Sequence, residues 1–177
     1  MLDTDVGFLV DCAMVISQDA LEIIEHLTKD FKISGNLSHA NRTTKVLNLS
    51  FWSRIEMENL TLVMKASLWM GNRFVPFKSI KYSVMVTQLL ELPFYDIPKL
   101  VYQHARPPLV PPLKPNVTYS ITEWSPTSFP NFPDGRWLVH LEFFKDMNKD
   151  VLLATTEWYL TITNTIEWST TTLPSDE

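Results

Sequence analysis

Residues 60–70 have the sequence LTLVMKASLWM, in which apolar side chains occupy every second position. Because successive side chains of a strand point to opposite faces, this alternation is typical of a strand with one buried face. The residues expected to face inward are Leu60, Leu62, Met64, Ala66, Leu68 and Met70. The next residues, MGNR at 70–73, suit a hairpin turn, since Gly and Asn tolerate positive φ. The first expectation is therefore an antiparallel β protein.

Further strands are predicted along the rest of the chain. They cover residues 31–37, 43–52, 73–86, 117–124, 136–144 and 152–162, and Pro76 indicates an edge or a bulge in the third of them. Residues 87–106 have apolar side chains at helical spacing and predict a short helical insert, while residues 17–29 fit an amphipathic helix or, equally, a strand. Together these segments predict an all-β fold, an antiparallel immunoglobulin-like β-sandwich with one helical insert.

The domain organisation is expected to be simple, since 177 residues suffice for one domain with a sizeable core. Residues 6–16 are apolar but contain Asp11, and acidic residues precede them, so they lack the form of a signal peptide. We divide the chain into three parts. Residues 1–29 are an N-terminal segment, which is a signal remnant or a short helix or strand. Residues 30–168 form the sandwich domain, and residues 169–177 form a polar, disordered tail.

Composition and spacing argue against several classes of function. The chain has 15 Lys and Arg residues and 20 Asp and Glu residues, which gives a net charge of -5. The basic residues form no stripe, so no nucleic-acid partner is expected. No apolar stretch approaches the roughly eighteen residues of a transmembrane segment. The four histidines lack metal-ligand spacing, and neither a Gly-x-Ser-x-Gly elbow nor a phosphate loop is present. We therefore expect no enzyme activity, no cofactor and no metal.

Five tripeptides of the form Asn-x-Ser/Thr indicate N-linked glycosylation. They begin at Asn36, Asn41, Asn48, Asn59 and Asn116. In four of them the middle residue is Leu or Val, so an Asn on the outer face of a strand would alternate with an apolar residue on the inner face. This pattern predicts a secreted, extracellular glycoprotein. The only cysteine, Cys12, can form no intramolecular disulfide and is expected to be a buried thiol.

Four segments carry a resemblance to a known family. They are NRTTKVLN at 41–48, MGNRF at 70–74, LKPNVTY at 113–119 and FPNFPDGRW at 129–137. In their order and spacing they resemble the insect chemosensory protein B family, small secreted proteins similar to the ganglioside-activator branch of the ML lipid-recognition superfamily. The likeness covers residues 30–162. Members typically carry cysteines in the segments equivalent to 89–93 and 111–112, and this chain has none there.

The resemblance implies a lipid-binding cup between the two sheets and a non-enzymatic role in chemosensation. The ligand would be a lipid, a cuticular hydrocarbon or a pheromone, with a membrane receptor or channel as a further partner. The residues expected to contact it are Met64, Leu68, Phe94, Tyr95, Tyr119, Trp137, Phe143 and Trp158. Residues 94–102 and 129–135 would form the mouth.

Two alternatives stay open at the level of the sequence. The first is a filled, glycosylated sandwich that acts as an adhesion or interaction module, with Trp52, Trp69 and Trp124 on its outer face. The second is a decayed copy without activity, which the missing cysteines favour. Inner-face residues look alike whether protein or ligand fills the space between the sheets.

Overall fold

The computed structural model is an antiparallel β-sandwich and describes residues 7–25, 29–56, 60–86, 88, 100–110, 112–127 and 132–171. The strands in these ranges are β1 Gly7–Glu25, β2 Phe31–His39, β3 Lys45–Ser53, β4 Thr61–Met70, β5 Arg73–Met85, β6 Ala105–Arg106, β7 Thr118–Trp124, β8 Gly135–Phe144 and β9 Leu152–Thr171. One sheet has the order β1-β9-β8-β4-β5, and the other has the order β2-β3-β7-β6. All the pairings are antiparallel, which confirms the all-β sandwich, while its immunoglobulin-like detail stays a prediction.

β4 and β5 form the predicted hairpin. Gly71 lies in its turn with a φ of 69°, and the Asn72 N–H donates to the Met70 carbonyl over 2.9 Å. Pro76 lies on the edge strand β5, where the register with β4 shifts, as expected for a residue without an N–H. Met70 does not face inward, since 56% of its surface is exposed. That prediction was wrong because the residue lies at the turn, where the strand has left the core.

The helix considered for residues 17–29 is absent from the described part of that range, which belongs to β1. The whole of β1 pairs with β9, from Gly7 opposite Thr171 to Glu25 opposite Ala154. Leu21 and Ile23 are half-buried on the inner face, and Ile24 is exposed. Backbone pairing with a distant strand outweighs the local helical spacing here, because it runs the length of β1 and satisfies the backbone groups that face β9. The sandwich thus includes residues on both sides of the 30–168 range.

Part of the predicted helical insert lies outside the described residues, namely 87 and 89–99. Within the described ranges, Leu100–His104 forms a short π-helical segment that leads into β6. Thr171 ends β9, and residues 172–177 of the predicted tail also lie outside the description. No helix in the ranges described above is long and apolar enough to cross a membrane.

The two sheets approach each other closely where β1 packs against β2 and β3. Gly35 of β2 lies at this approach. A Cβ atom at Gly35 would lie 2.7 Å from the Asn48 carbonyl oxygen and 3.2 Å from Cδ1 of Ile23 on β1. Asn48 lies on β3 of the same sheet, so a residue without a side chain is needed chiefly where β2 pairs with β3, and it also leaves room for the Ile23 side chain of the other sheet.

We expect Gly35→Ala to lower the free energy of unfolding by about 1–3 kcal/mol, because the added methyl group overlaps a backbone oxygen that cannot move independently. Ser34→Ala is the matched control, since Ser34 is exposed on the opposite face and its loss should change stability by less than about 0.5 kcal/mol. Urea unfolding of both variants measures the difference. Equal stability of the two would contradict a close approach at Gly35.

Candidate functional site

A cavity of about 460 Å³ lies between the two sheets. Its volume is within the range of about 300–1,000 Å³ that is usual for small-molecule sites. The wall from the five-stranded sheet consists of alternate residues on three neighbouring strands. They are Leu62 and Met64 of β4, Val139, Leu141 and Phe143 of β8, and Thr156 and Trp158 of β9.

The opposite wall comes from the four-stranded sheet. It consists of Phe31 and Ile33 of β2, Leu47, Leu49 and Phe51 of β3, and Ile121 and Trp124 of β7. The positions alternate on β2 and β3, whereas those on β7 are three residues apart. Leu21 of β1 adds to the wall of the five-stranded sheet, so apolar side chains line the cavity from both sheets.

The remaining side of the cavity is bounded by β5 and β6, which are edge strands of different sheets. Tyr82, Ser83 and Val84 contribute from β5, and Leu100, Leu109 and Leu113 contribute from the segments that flank β6. In the part of the chain that the structure describes, no ladder pairs β5 with β6. Among the described residues, side chains rather than backbone hydrogen bonds therefore border the cavity on this side.

The cavity lining is almost entirely hydrocarbon. Among the described residues that line it, none is Asp, Glu, Lys, Arg or His. The polar side chains on the wall are Tyr82, Ser83 and Thr156, together with the indole N–H groups of Trp124 and Trp158. Such a surface can stabilise an apolar ligand by removing it from water, but it offers no charged partner to an ionised group.

Trp124 reaches the cavity through a bulge in β7. Leu47 pairs with Trp124 and Leu49 with Ile121, so Thr122 and Glu123 together lie opposite Asn48. Glu123 has a φ of 53°, and its N–H donates to Oδ1 of Asn48 over 3.1 Å. The extra residue reverses the alternation and turns Trp124 inward, where only 7% of its surface is exposed. The prediction that Trp124 faces outward was therefore wrong.

Two further contacts hold Trp124 in place. Gln18 of β1, a fully buried residue, donates from Nε2 to the Trp124 carbonyl over 3.3 Å and to the Lys45 carbonyl over 3.0 Å. The indole ring packs against Trp158 of the other sheet, with 5.7 Å between the ring centroids. Side chains from both sheets thus fix this end of the wall.

Three of the predicted ligand-contact residues line the cavity: Met64, Phe143 and Trp158. Leu68, Tyr119 and Trp137 do not line it, and Phe94 and Tyr95 lie outside the described residues. Leu100, from the predicted mouth, is on the wall, whereas Phe132, from the second predicted mouth segment, is buried against Trp137 with 4.7 Å between ring centroids.

Trp137 and Tyr119 belong to the packed parts of the core. Trp137 has no exposed surface, donates from Nε1 to the Pro133 carbonyl over 2.9 Å, and meets Phe77 edge to face. Tyr119 accepts the Lys114 N–H at its hydroxyl over 2.9 Å and stacks on Phe51, whose ring lines the cavity. Both residues fill the core between the sheets beside the cavity rather than forming its surface.

Sequence reasoning missed a set of lining residues from outside regular strands. Leu109 and Leu113 lie in the proline-rich segment after β6 and are almost completely buried on the cavity wall. The signal available was the apolar side chain itself, but Val110 in the same segment is also apolar and is exposed. Extended proline-rich segments have no fixed face, so their pattern does not predict which side chains point inward.

The outer face of the five-stranded sheet carries a polar network. Nζ of Lys65 is 2.8 Å from Oε1 of Glu142, and His140 lies between Glu142 and Glu157 at 3.3 and 3.6 Å. Partial burial raises the pKa of Glu142, but Lys65 and His140 outweigh this effect and bring the pKa below its ordinary value. A hydrogen bond to Glu157 raises the pKa of Tyr159 to about 12. Among the described residues, no group of three or more His, Cys, Asp or Glu side chains has an arrangement that could hold a metal ion.

The predicted glycan acceptors differ in their surroundings. Asn36, Asn41 and Asn116 are exposed, and Asn59 lies outside the described residues. Asn48 is half-buried, and its side chain is fully engaged: Nδ2 donates to Oγ of Ser38 over 2.8 Å, and Oδ1 accepts the Glu123 N–H. In the folded protein Asn48 stabilises the bulge that positions Trp124.

Comparison with known proteins adds no relative. No protein-family model matches the chain, and no curated protein sequence matches it.

We expect Asn48→Ala to destabilise the fold by about 1–3 kcal/mol, because the N–H of Glu123 loses its acceptor at a bulge. Asn36→Ala is the control, since it removes a neighbouring Asn-x-Ser tripeptide on the same outer face from an exposed position. Unfolding in urea, followed by tryptophan fluorescence, compares the two. Equal effects would mean that the Asn48 side chain does not hold the bulge.

Proposed function

We propose that this chain is a non-enzymatic binding protein for a hydrophobic ligand, such as a lipid, a hydrocarbon or a pheromone, which it holds between its two sheets. The observation that supports the proposal is the apolar cavity of about 460 Å³ between the sheets. If each methylene-sized group takes about 30 Å³, the volume of one water molecule in the liquid, the cavity holds a chain of about fifteen such groups.

The energetics of packing favour a ligand over an empty space. Unfilled apolar volume in a core costs about 24 cal/mol per Å³, and natural cores are packed to nearly the density of organic crystals. A ligand that enters the cavity gains about 0.8 kcal/mol for each methylene it removes from water. The same side chains that would be poorly packed in the empty protein thus become partners of the ligand.

Secretion and a role in chemosensation are part of the proposal. Secretion rests on the Asn-x-Ser/Thr tripeptides, three of which begin at exposed residues, Asn36, Asn41 and Asn116. Chemosensation, with a membrane receptor or channel as a further partner, rests on the resemblance of four segments to insect chemosensory proteins. The cavity is compatible with both, since a carrier in an aqueous fluid must shield an insoluble ligand from water.

A second candidate function is an interaction module that uses its outer surface. The observation that favours it is an aromatic patch on the five-stranded sheet, where Trp69 packs edge to face on Phe74 at 5.0 Å and Arg136 lies over the Trp69 ring at 5.5 Å. Trp69 and the adjacent Met70 are both exposed. This patch is compatible with ligand binding, because it lies on the opposite face of the sheet from the cavity.

The proposal predicts that a larger side chain in the cavity blocks binding. Leu141→Trp should weaken binding of a neutral fluorescent probe, N-phenylnaphthylamine, at least about tenfold, because the indole ring takes up ligand volume while the core stays apolar. Leu138→Trp is the matched control, since Leu138 is on the opposite face of β8 and does not line the cavity. Probe titration and thermal unfolding of both variants separate lost binding from lost folding.

A probe affinity that is equal in Leu141→Trp and the wild type would contradict binding between the sheets. Within the wild type, straight-chain alcohols should displace the probe about fourfold more tightly for each added methylene, since each buried methylene contributes about 0.8 kcal/mol. The increase should end when the chain exceeds the cavity length. A series without chain-length dependence would point to adsorption on the outer surface.

Secretion from insect cells behind a supplied signal peptide tests the extracellular part of the proposal. We expect glycopeptide mass spectrometry to find glycan at Asn36, Asn41 and Asn116, and to find Asn48 unmodified in the folded fraction, because its Nδ2 atom donates to Ser38. Organic extraction of the same material should recover a hydrophobic compound. Folded protein with no glycan at the three exposed positions would contradict the extracellular assignment.

A further inference from the structure

One row of paired residues crosses the inner face of the five-stranded sheet. Tyr82 of β5 lies opposite Met64 of β4. Met64 lies opposite Leu141 of β8, which in turn lies opposite Thr156 of β9. All four residues line the cavity. Because neighbouring strands are about 4.8 Å apart, the row is about 14 Å long. The cavity therefore extends across the strands, from the edge strand β5 toward β9.

The two ends of this row differ in their exposure to water. Tyr82 and its neighbour Ser83 are exposed, and they are the only exposed residues in the described lining. At the other end Thr156 is buried, and Trp158, two positions further along the same face of β9, packs on Trp124 with 5.7 Å between the ring centroids. The cavity thus has a wet end at β5 and a dry end at the tryptophan pair.

The polar groups that a ligand can reach also lie at the β5 end. Oγ1 of Thr156 and the indole nitrogens of Trp124 and Trp158 have almost no accessible surface, so they do not face the cavity. Tyr82, in contrast, combines an apolar ring with a hydroxyl group in an exposed position.

The main chain of β5 adds to the polar character of this end. Ser83 lies opposite Val63, which is not on the wall, so the Ser83 side chain points away from the row and its main chain borders the cavity. In the described part of the chain β4 is the only neighbour of β5 in the sheet. Some backbone groups of an edge strand point away from its one partner and stay available to water or to a ligand.

We propose that the cavity takes an unbranched chain with one polar group at its end and holds it in one direction, with the polar end at Tyr82 and the hydrocarbon end at Trp124 and Trp158. This inference rests on the proposed function and narrows its ligand to terminally functionalised chains, such as primary alcohols and carboxylic acids. A polar group in the middle of the chain would lie beside Met64 and Leu141, where it would lose its hydration without finding a partner. At the β5 end the same group stays in contact with water.

Positional isomers of decanol test the class of ligand. The primary alcohol should displace N-phenylnaphthylamine at least about tenfold more tightly than the isomer with the hydroxyl on its fifth carbon, because burial of an unpaired hydroxyl is unfavourable. A primary decanol with a methyl group on its fifth carbon is the control, since it has a branch without a polar group there, and it should bind more tightly than the mid-chain alcohol. Equal affinities of the two decanol isomers would overturn the selectivity.

Fluorescence quenching tests the direction of the chain. Bromine quenches a nearby indole ring, so a primary decanol with bromine on its last carbon should lower the tryptophan fluorescence more than one with bromine next to the hydroxyl-bearing carbon. The difference should disappear in the double variant Trp124→Phe, Trp158→Phe and persist in the control Trp69→Phe, because Trp69 lies on the outer face. Equal quenching by the two bromoalcohols in the wild type, or the opposite order, would contradict the direction without recourse to any variant.

A charge at the β5 end tests the position of the polar group independently. Tyr82→Lys should raise the affinity for decanoate relative to decanol about threefold, the size expected for an exposed ion pair. Ser79→Lys is the matched control, since Ser79 is exposed on the same strand but does not line the cavity, and it should leave the ratio unchanged. An equal ratio in both variants and the wild type would overturn the placement and leave the proposed function intact. If no alcohol displaces the probe from the wild type, the proposed function itself fails.

Discussion

The structure depends on how far apart the two sheets are held. Where β1 crosses β2 and β3, Gly35 leaves room for the Ile23 side chain of the other sheet to pack against β2. On the other side, β5 and β6 are unpaired edges, and the inner faces separate around the cavity. Because the strands are continuous across both regions, one set of alternating residues first fills the core and then lines a space that protein does not fill. The packed core and the cavity are therefore consequences of the same periodicity.

A single irregularity determines the chemistry of the four-stranded wall. Without the bulge at Thr122 and Glu123, the alternation of β7 would place Glu123 on the inner face and Trp124 on the outer one. The bulge exchanges them, so that a carboxylate is exposed and an indole is buried. The Asn48 side chain stabilises this arrangement by accepting the Glu123 N–H. A residue that looks like a glycan acceptor in the sequence thus acts through the backbone on the cavity.

The regular part of the fold could be predicted from the sequence because its cause is local. The apolar residues Leu60, Leu62, Met64, Ala66 and Leu68 are buried or half-buried as predicted, although Thr61 and Val63 on the opposite face of the strand are buried as well. The turn at Gly71 is set by residues that tolerate positive φ. The path of β1 could not be predicted this way, since its apolar residues fit a helix and a strand equally well. Only its pairing with β9, more than a hundred residues away, selects the strand.

Part of the candidate site could be predicted from the sequence, again because the alternation of side chains along a strand is local. Met64, Phe143 and Trp158 follow from strand alternation, and all three line the cavity. Alternation also predicted that Trp137 faces inward, and Trp137 is buried. Its position along the strand, however, decides whether an inward residue lies in the filled core or on the wall of the cavity. That distinction is a property of two sheets together and has no counterpart in the pattern of one strand. The bulge that turns Trp124 inward depends likewise on a partner strand.

The two faces of the five-stranded sheet serve different requirements. On β4 and β8 the outer positions carry Lys65, His140 and Glu142, while the alternate inner positions carry Met64 and Leu141. The ionic network keeps one face hydrated, and its members contact each other across strands without reaching the cavity. Since neighbouring residues of a strand point in opposite directions, the surface that water contacts can change without altering the surface that a ligand would contact. The polar outer surface and the apolar lining of the cavity can therefore change independently within the same strands.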